Sequence, residues 1–203
     1  MSLWTITLIL GFLAVIILNL VFQFAWSTVL ELVFCAIVIM LPAALFLFVG
    51  RKMPRTYFDT SKKSFKDTST KQKICNATKV KSWKDKIPVG GRVAGFRMNK
   101  LDRPKDVAYL DRYVYESCFA DWLHSIVAIW SLIGAGLIFV VRRELFFKMA
   151  LPFALLFCYQ NICSVLIQWY MRPRIERLRA NLAKRQTVDD DCPKTNCIKT
   201  SKI

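Results

Sequence analysis

The 203-residue chain has one histidine, an odd number of cysteines and fewer than half as many acidic as basic residues, 14 against 30. A lone imidazole, His124, excludes a histidine-rich metal centre, because zinc takes four nitrogen or sulfur ligands as a rule. Seven cysteines, three of them (Cys35, Cys158, Cys163) inside apolar runs, exclude a disulfide framework. Cys192 and Cys197 lie close enough in sequence to pair, but no second set of ligands accompanies them, so no metal site is expected. The first apolar run is too long and follows too few charges for a cleaved signal peptide, and no small-residue cleavage site ends it. There is no internal repeat. No matching pair of Gly- or Pro-interrupted apolar segments is present, which argues against a small transporter. The acidic deficit gives a net charge of +16. Its basic residues flank apolar runs instead of forming a discrete motif, so no nucleic-acid partner is expected.

What the chain does have is apolar sequence in blocks. It is 55% hydrophobic and 13% aromatic, with a mean hydropathy of +0.34. Such values beside so much charge predict an all-α integral membrane protein. Four runs reach the ~20 residues that a bilayer core demands: Leu3–Trp26, Val29–Val49, Phe119–Val141 and Leu145–Tyr170. The expected organisation is a transmembrane hairpin over 1–50, then a basic mobile cytoplasmic loop over 51–78 lying on anionic headgroups. A membrane-apposed segment over 79–118 leads to the active site, followed by a second transmembrane hairpin over 119–171. A basic tail helix occupies 172–185 and a disordered tail 186–203. Pro42 and Pro152 fall inside runs and should bend them locally. Between Arg51 and Tyr113 stand eighteen basic and six acidic residues, and from Arg172 onward nine and four. The positive-inside rule then places both regions and both termini in the cytoplasm, with the protein in the cell membrane.

Ionisable residues at the mouth of a span are costly and mark candidate sites. Asp121 and His124 are three apart on a helix, with Glu116 one turn upstream; a carboxylate can orient an imidazole and raise its basicity. The bland alternatives are an interfacial anchor for Asp121 and His124, and an Arg112 pairing for Glu116. Asn161 and Gln168 lie seven apart, sharing a helix stripe with Cys158 and Val165. They either hydrogen-bond between helices, at about 0.6–2 kcal/mol each, or line a headgroup site. Arg172 and Arg174 flank Pro173, as topology signals or as planar forks for phosphate or carboxylate. Trp83, Lys84 and Lys86 are either interfacial anchors or substrate contacts. Cys118 is six residues from His124 and on another face, which weighs against a covalent thiol route.

Three segments occur in this order: Trp83-Lys84-x-Lys86-Ile87, Glu116-x4-Asp121-x2-His124, and Asn161-x6-Gln168-x-Tyr170-x-Arg172-Pro173-Arg174. Over about Val80–Arg185 the set resembles the glycosyl-4,4'-diaponeurosporenoate acyltransferase family, membrane enzymes that attach a fatty acyl chain to a glycosylated carotenoid acid. The family has glutamate where Asp121 stands, and Thr-Lys where this chain has Ser117-Cys118.

The resemblance implies acyl transfer to a hydroxyl of a lipid-linked acceptor, a glycosylated isoprenoid or carotenoid. In this scheme His124 removes the hydroxyl proton, and Asp121 or Glu116 holds the other imidazole nitrogen. Trp83, Lys84, Lys86, Asn161, Gln168, Arg172 and Arg174 contact substrate. The four site residues Glu116, Asp121, His124 and Gln168 are expected in one cavity, with Trp83 or Lys84 folded over it. No metal or resident cofactor is needed; acyl-CoA or acyl carrier protein is the donor, and membrane lipids are partners. The rival reading is a non-catalytic membrane partner or regulator that binds anionic lipid or an acidic protein through the basic loop.

Overall fold

In a computed structural model the protein is described for residues 26–87 and 101–191, with side chains over 28–87 and 101–185. Among the described residues every regular element is helical. Helix α1 is Trp26–Lys52, followed by a 3-10 turn at Arg55–Phe58. Two short helices come next, α2 (Ser69–Ala77) and α3 (Val80–Trp83). The long helices are α4 (Val107–Val141) and α5 (Leu151–Asp191), joined through a helical turn at Arg143–Leu145 and a π-turn at Phe146–Ala150. Among the described residues three helices are long and apolar enough to cross a membrane: Thr28–Lys52, Val107–Val141 and Arg143–Arg185. The expected run Leu3–Trp26 lies outside the described residues.

The two C-terminal spans are longer than the apolar runs that announce them. Asp106 caps α4, its carboxylate accepting the Tyr109 N–H at 3.1 Å, and nothing between there and Phe119 breaks the helix. Thirty-five residues at about 1.5 Å each give roughly 52 Å, well beyond the ~30 Å hydrocarbon core. The amphipathic stretch and the span are one rod. The tail helix expected over 172–185 is likewise the end of α5, which runs through Pro173 and past Gln186 to Asp191.

The segment 51–78, read as mobile from its lysines and serines, is instead pinned to the bundle by its few apolar residues. Phe58, Phe65 and Cys75 are 3%, 6% and 1% exposed. The Phe58 ring meets Phe119, Trp122 and Tyr115 edge-on, at 5.3, 5.6 and 5.9 Å between centroids. Isolated aromatics in a polar sequence therefore act as anchors, not as headgroup contacts.

Ion pairs set the antiparallel registers. Arg51 meets Glu116 at 2.9 Å at one end of α1 and α4, and Arg142 meets Glu31 at 3.0 Å at the other. Close approach depends on glycine once. At Gly50 an added Cβ would stand 2.6 Å from the Trp122 ring and 2.7 Å from Phe119, so both rings would have to shift to admit a methyl group. At Gly134 it would stand 3.5 Å from the Val38 carbonyl oxygen, in ordinary van der Waals contact.

Pro42 and Pro173 each deprive the carbonyl four residues earlier of its N–H partner. In both cases a side chain from another element takes the place. Trp130 Nε1 donates to the Val38 oxygen at 3.2 Å, and Gln72 Nε2 reaches the Trp169 oxygen at 3.5 Å. In lipid an unsatisfied carbonyl has no water to turn to, so these cross-helix donors tie α4 to α1 and α2 to α5.

Removing the indole donor with Trp130→Phe is expected to lower stability by about 0.6–2 kcal/mol. Adding Pro42→Ala restores the intrahelical N–H, so the double variant should lose less than the sum of the two single losses. Equilibrium unfolding in mixed micelles measures the cycle; strict additivity would show that the bond has no energetic role.

Candidate functional site

Helices α4 and α5 run antiparallel, and their facing stripes carry the polar residues. The stripe of Cys158, Asn161, Val165 and Gln168 is buried throughout, at 9%, 5%, 8% and 0% exposure, and Arg172 continues it at 3%. The seven-residue spacing thus faces the bundle interior.

At the basic end of the bundle, Arg172 spends nearly its whole guanidinium on protein. Its Nε donates to Ser117 Oγ at 3.2 Å, Nη1 to the Phe65 carbonyl at 2.9 Å, and Nη2 to the Ser117 carbonyl at 3.1 Å and Asp121 Oδ2 at 2.8 Å. Four of the five donors that an arginine carries are used. Trp169 Nε1 also donates to Asp121, at 3.2 and 3.1 Å to its two oxygens. Nearby, Lys71 donates to the Ser64 and Lys66 carbonyls at 2.7 and 3.0 Å. Burial pushes its pKa below the usual lysine value; Asp121 pulls it back up and Arg172 pushes it further down.

His124 has a different partner. Its Nδ1 lies 2.7 Å from Asn161 Oδ1, while Asn161 Nδ2 donates to the Phe157 carbonyl at 2.8 Å. The second bond fixes the amide, because flipping it would set two oxygens against each other. The oxygen facing His124 is an acceptor, so Nδ1 carries the proton and Nε2 presents a lone pair. Imidazole orientation comes from a neutral amide on α5, in place of the carboxylate expected from Asp121 or Glu116.

The expected single cavity is therefore divided. Asp121 belongs to Arg172, since a charge-assisted bond to a guanidinium outcompetes a neighbour three residues along the same helix. Glu116, 6% exposed, holds Arg51 of α1, neither the imidazole nor Arg112. Gln168 is fully buried with neither amide atom bonded among the described residues. Trp83 does not cover His124: it packs on the cluster of Cys75, Val80, Ile167 and Tyr170, its indole donating to the Thr78 carbonyl at 2.8 Å. Lys84 pairs with Asp85 at 2.7 Å, Lys86 is exposed, and Arg174 lies 3.6 Å over the Tyr170 ring. Sequence reasoning missed Trp169, Ser117 and the Phe65 carbonyl as Arg172 and Asp121 partners. A tryptophan beside Gln168, on the turn before Arg172, was the available signal for the first; a backbone carbonyl leaves none.

Beside this pair a cavity of about 310 Å³ opens between α4, α5 and the 51–78 segment. Its walls include Asp121, Trp122 and Ser125 of α4, Trp169 of α5, and Tyr57 and Lys62. Aromatic faces with a few polar groups are the usual lining of a small-molecule site. Asp121 Oδ1 takes only the Trp169 indole, so it retains acceptor capacity toward this space.

Arg172→Met would leave Asp121 buried and unpaired, and is expected to cost about 3–5 kcal/mol. Adding Asp121→Leu removes the stranded charge and should return most of that loss. Unfolding midpoints in detergent compare the two; a double variant as unstable as the single would show that packing, and not charge pairing, sets the cost.

The family model described as glycosyl-4,4'-diaponeurosporenoate acyltransferase matches residues 54–181, which include the Arg172 and His124 centres and the 310 Å³ cavity. No curated protein and no solved structure matches the chain. With more than half its length matched, this chain belongs to the glycosyl-4,4'-diaponeurosporenoate acyltransferase family and is an acyltransferase.

Proposed function

We propose that the chain moves a fatty acyl group from a thioester donor, acyl-CoA or acyl carrier protein, to a hydroxyl of a glycosylated isoprenoid or carotenoid lipid, with His124 as general base. The observation that carries this reading is the Asn161 amide, locked by the Phe157 carbonyl, which leaves His124 Nε2 free to accept a proton. The acceptor hydroxyl gives its proton to Nε2 as its oxygen attacks the acyl carbonyl. The carbon–sulfur bond then breaks, and the departing thiolate takes the proton from the imidazolium. Asn161 is a positioning residue in this scheme. Asp121, through Arg172 and Trp169, shapes the cavity wall and offers Oδ1 to a sugar hydroxyl. General-base assistance contributes about 10²–10⁴-fold; holding the two substrates in register supplies much of the remainder.

His124→Ala should lower acylated lipid per unit of membrane-inserted protein by about 10²–10⁴-fold, while stability falls only by the one interhelical hydrogen bond to Asn161, about 0.6–2 kcal/mol. Asn161→Leu should cause a smaller loss, because the imidazole remains but its tautomer and direction are no longer held. Lipid mass spectrometry of membranes carrying equal protein reads both. Full product from His124→Ala would remove the histidine from the chemistry.

The same reading includes four spans, with both termini and the basic segments in the cytoplasm of the cell membrane. It rests on the eighteen basic residues between Arg51 and Tyr113 and the nine from Arg172 onward. Cys75 is a poor reporter, being 1% exposed with its thiol pKa pushed up by burial. Lys63 is exposed, and Lys63→Cys should stay unlabelled by an impermeant maleimide in intact cells and react after permeabilisation. Labelling without permeabilisation reverses the orientation and, with it, the side from which the donor arrives.

A further inference from the structure

A second cleft, of about 490 Å³, lies where α2 and α3 meet α5. Its lining includes Asn76, Lys79, Lys81, Ser82, Tyr170 and Arg174, and none of the residues of the 310 Å³ cavity. Three positive charges surround it. Lys79, Lys81 and Arg174 form no ion pair among the described residues. The carboxylates of the same region are occupied: Asp67 accepts Gln72 Nε2 at 2.9 Å, and Asp85 pairs with Lys84 at 2.7 Å. The Tyr170 ring, 3.6 Å from the Arg174 guanidinium, holds that plane in place and leaves its N–H edge for a ligand.

One further observation points to an acceptor-bearing ligand. Tyr170 is 5% exposed, and its hydroxyl is buried with no hydrogen-bond partner among the described residues. A buried hydroxyl without a partner is costly, and such groups are normally satisfied by protein, water or ligand.

We infer that this cleft is a phosphate-ester site: Lys79, Lys81 and Arg174 neutralise the charge, and the Tyr170 hydroxyl donates to one of its oxygens, the Ser82 hydroxyl being already given to the Lys79 carbonyl at 2.8 Å. A guanidinium fork with two ammonium groups suits a phosphate of charge −1 to −2. The volume lies within the range of about 300–1,000 Å³ typical of small-molecule sites. The cleft sits at the basic end of the bundle, where such a group can come from a soluble coenzyme A donor or from an anionic lipid headgroup. The inference stands apart from the role of His124, since no residue is shared.

The test uses the full chain in phosphatidylcholine nanodiscs. One arm titrates free coenzyme A calorimetrically. The other counts phosphatidylglycerol retained by the protein, using native mass spectrometry after extraction into neutral detergent. At least one probe is expected to bind the wild type, with affinity falling as salt rises. Lys79→Gln/Lys81→Gln/Arg174→Gln should weaken that probe about tenfold or more, and Tyr170→Phe by a smaller factor. Lys63→Gln/Lys66→Gln, which removes two exposed charges elsewhere, should match the wild type. Coenzyme A binding alone identifies a soluble phosphate ligand, and phosphatidylglycerol retention alone a headgroup. Wild-type affinity in the triple variant, or binding of neither probe by the wild type, overturns the proposal.

Discussion

An arginine buried in an apolar bundle is tolerable only if its donors are filled, and Arg172 organises its surroundings by that demand. Filling them takes Ser117 and Asp121 from α4 and the Phe65 carbonyl from the 51–78 segment. The Trp169 indole then completes the Asp121 shell from α5 itself. One guanidinium thus fixes the α4–α5 register and fastens the basic segment over it. A buried ion pair contributes little net stability compared with well-packed apolar side chains. What it supplies here is position: the side chains that wall the 310 Å³ cavity stand on the elements it joins.

Because Arg172 and Asp121 are committed to each other, the imidazole of His124 finds its partner elsewhere on the same two helices. His124 is oriented by an amide that neither gains nor loses a proton near neutral pH, and that amide is itself oriented by a helix carbonyl. A carboxylate in that role would stabilise an imidazolium and slow its return to the base form; an amide gives direction with less of that bias. The division keeps strong electrostatics in the scaffold and leaves the imidazole in milder surroundings.

Much of this architecture is legible in the sequence because bilayer physics is. Apolar runs near 20 residues announced the three candidate spans of the described residues, and the Asn161–Gln168 spacing announced an inward-facing stripe. The family likeness over Val80–Arg185 overlaps most of the matched 54–181. What the sequence hid falls into two kinds. Helix lengths were hidden because hydropathy marks only the part of a helix in lipid, whereas caps such as Asp106 decide where the helix starts. Partnerships were hidden because charge proximity along one helix favoured Asp121 for His124, while the stronger competitor, Arg172, sits 51 residues away. The order in the 51–78 segment was masked by its lysines; three buried residues outweigh them.

The two proline-released carbonyls impose a temporal order on the making of this protein. Ribosomes deliver α1 to the bilayer before Trp130 has been synthesised, so Val38 enters with its oxygen open. Until α4 is in place, that carbonyl needs water or another polar neighbour, because lipid offers it none. Trp130 releases it. At the opposite end of the chain the sequence of events is inverted: Gln72 has been made and is waiting when the Trp169 carbonyl emerges. The basic segment is thereby already present as a receiving surface when α5 is made.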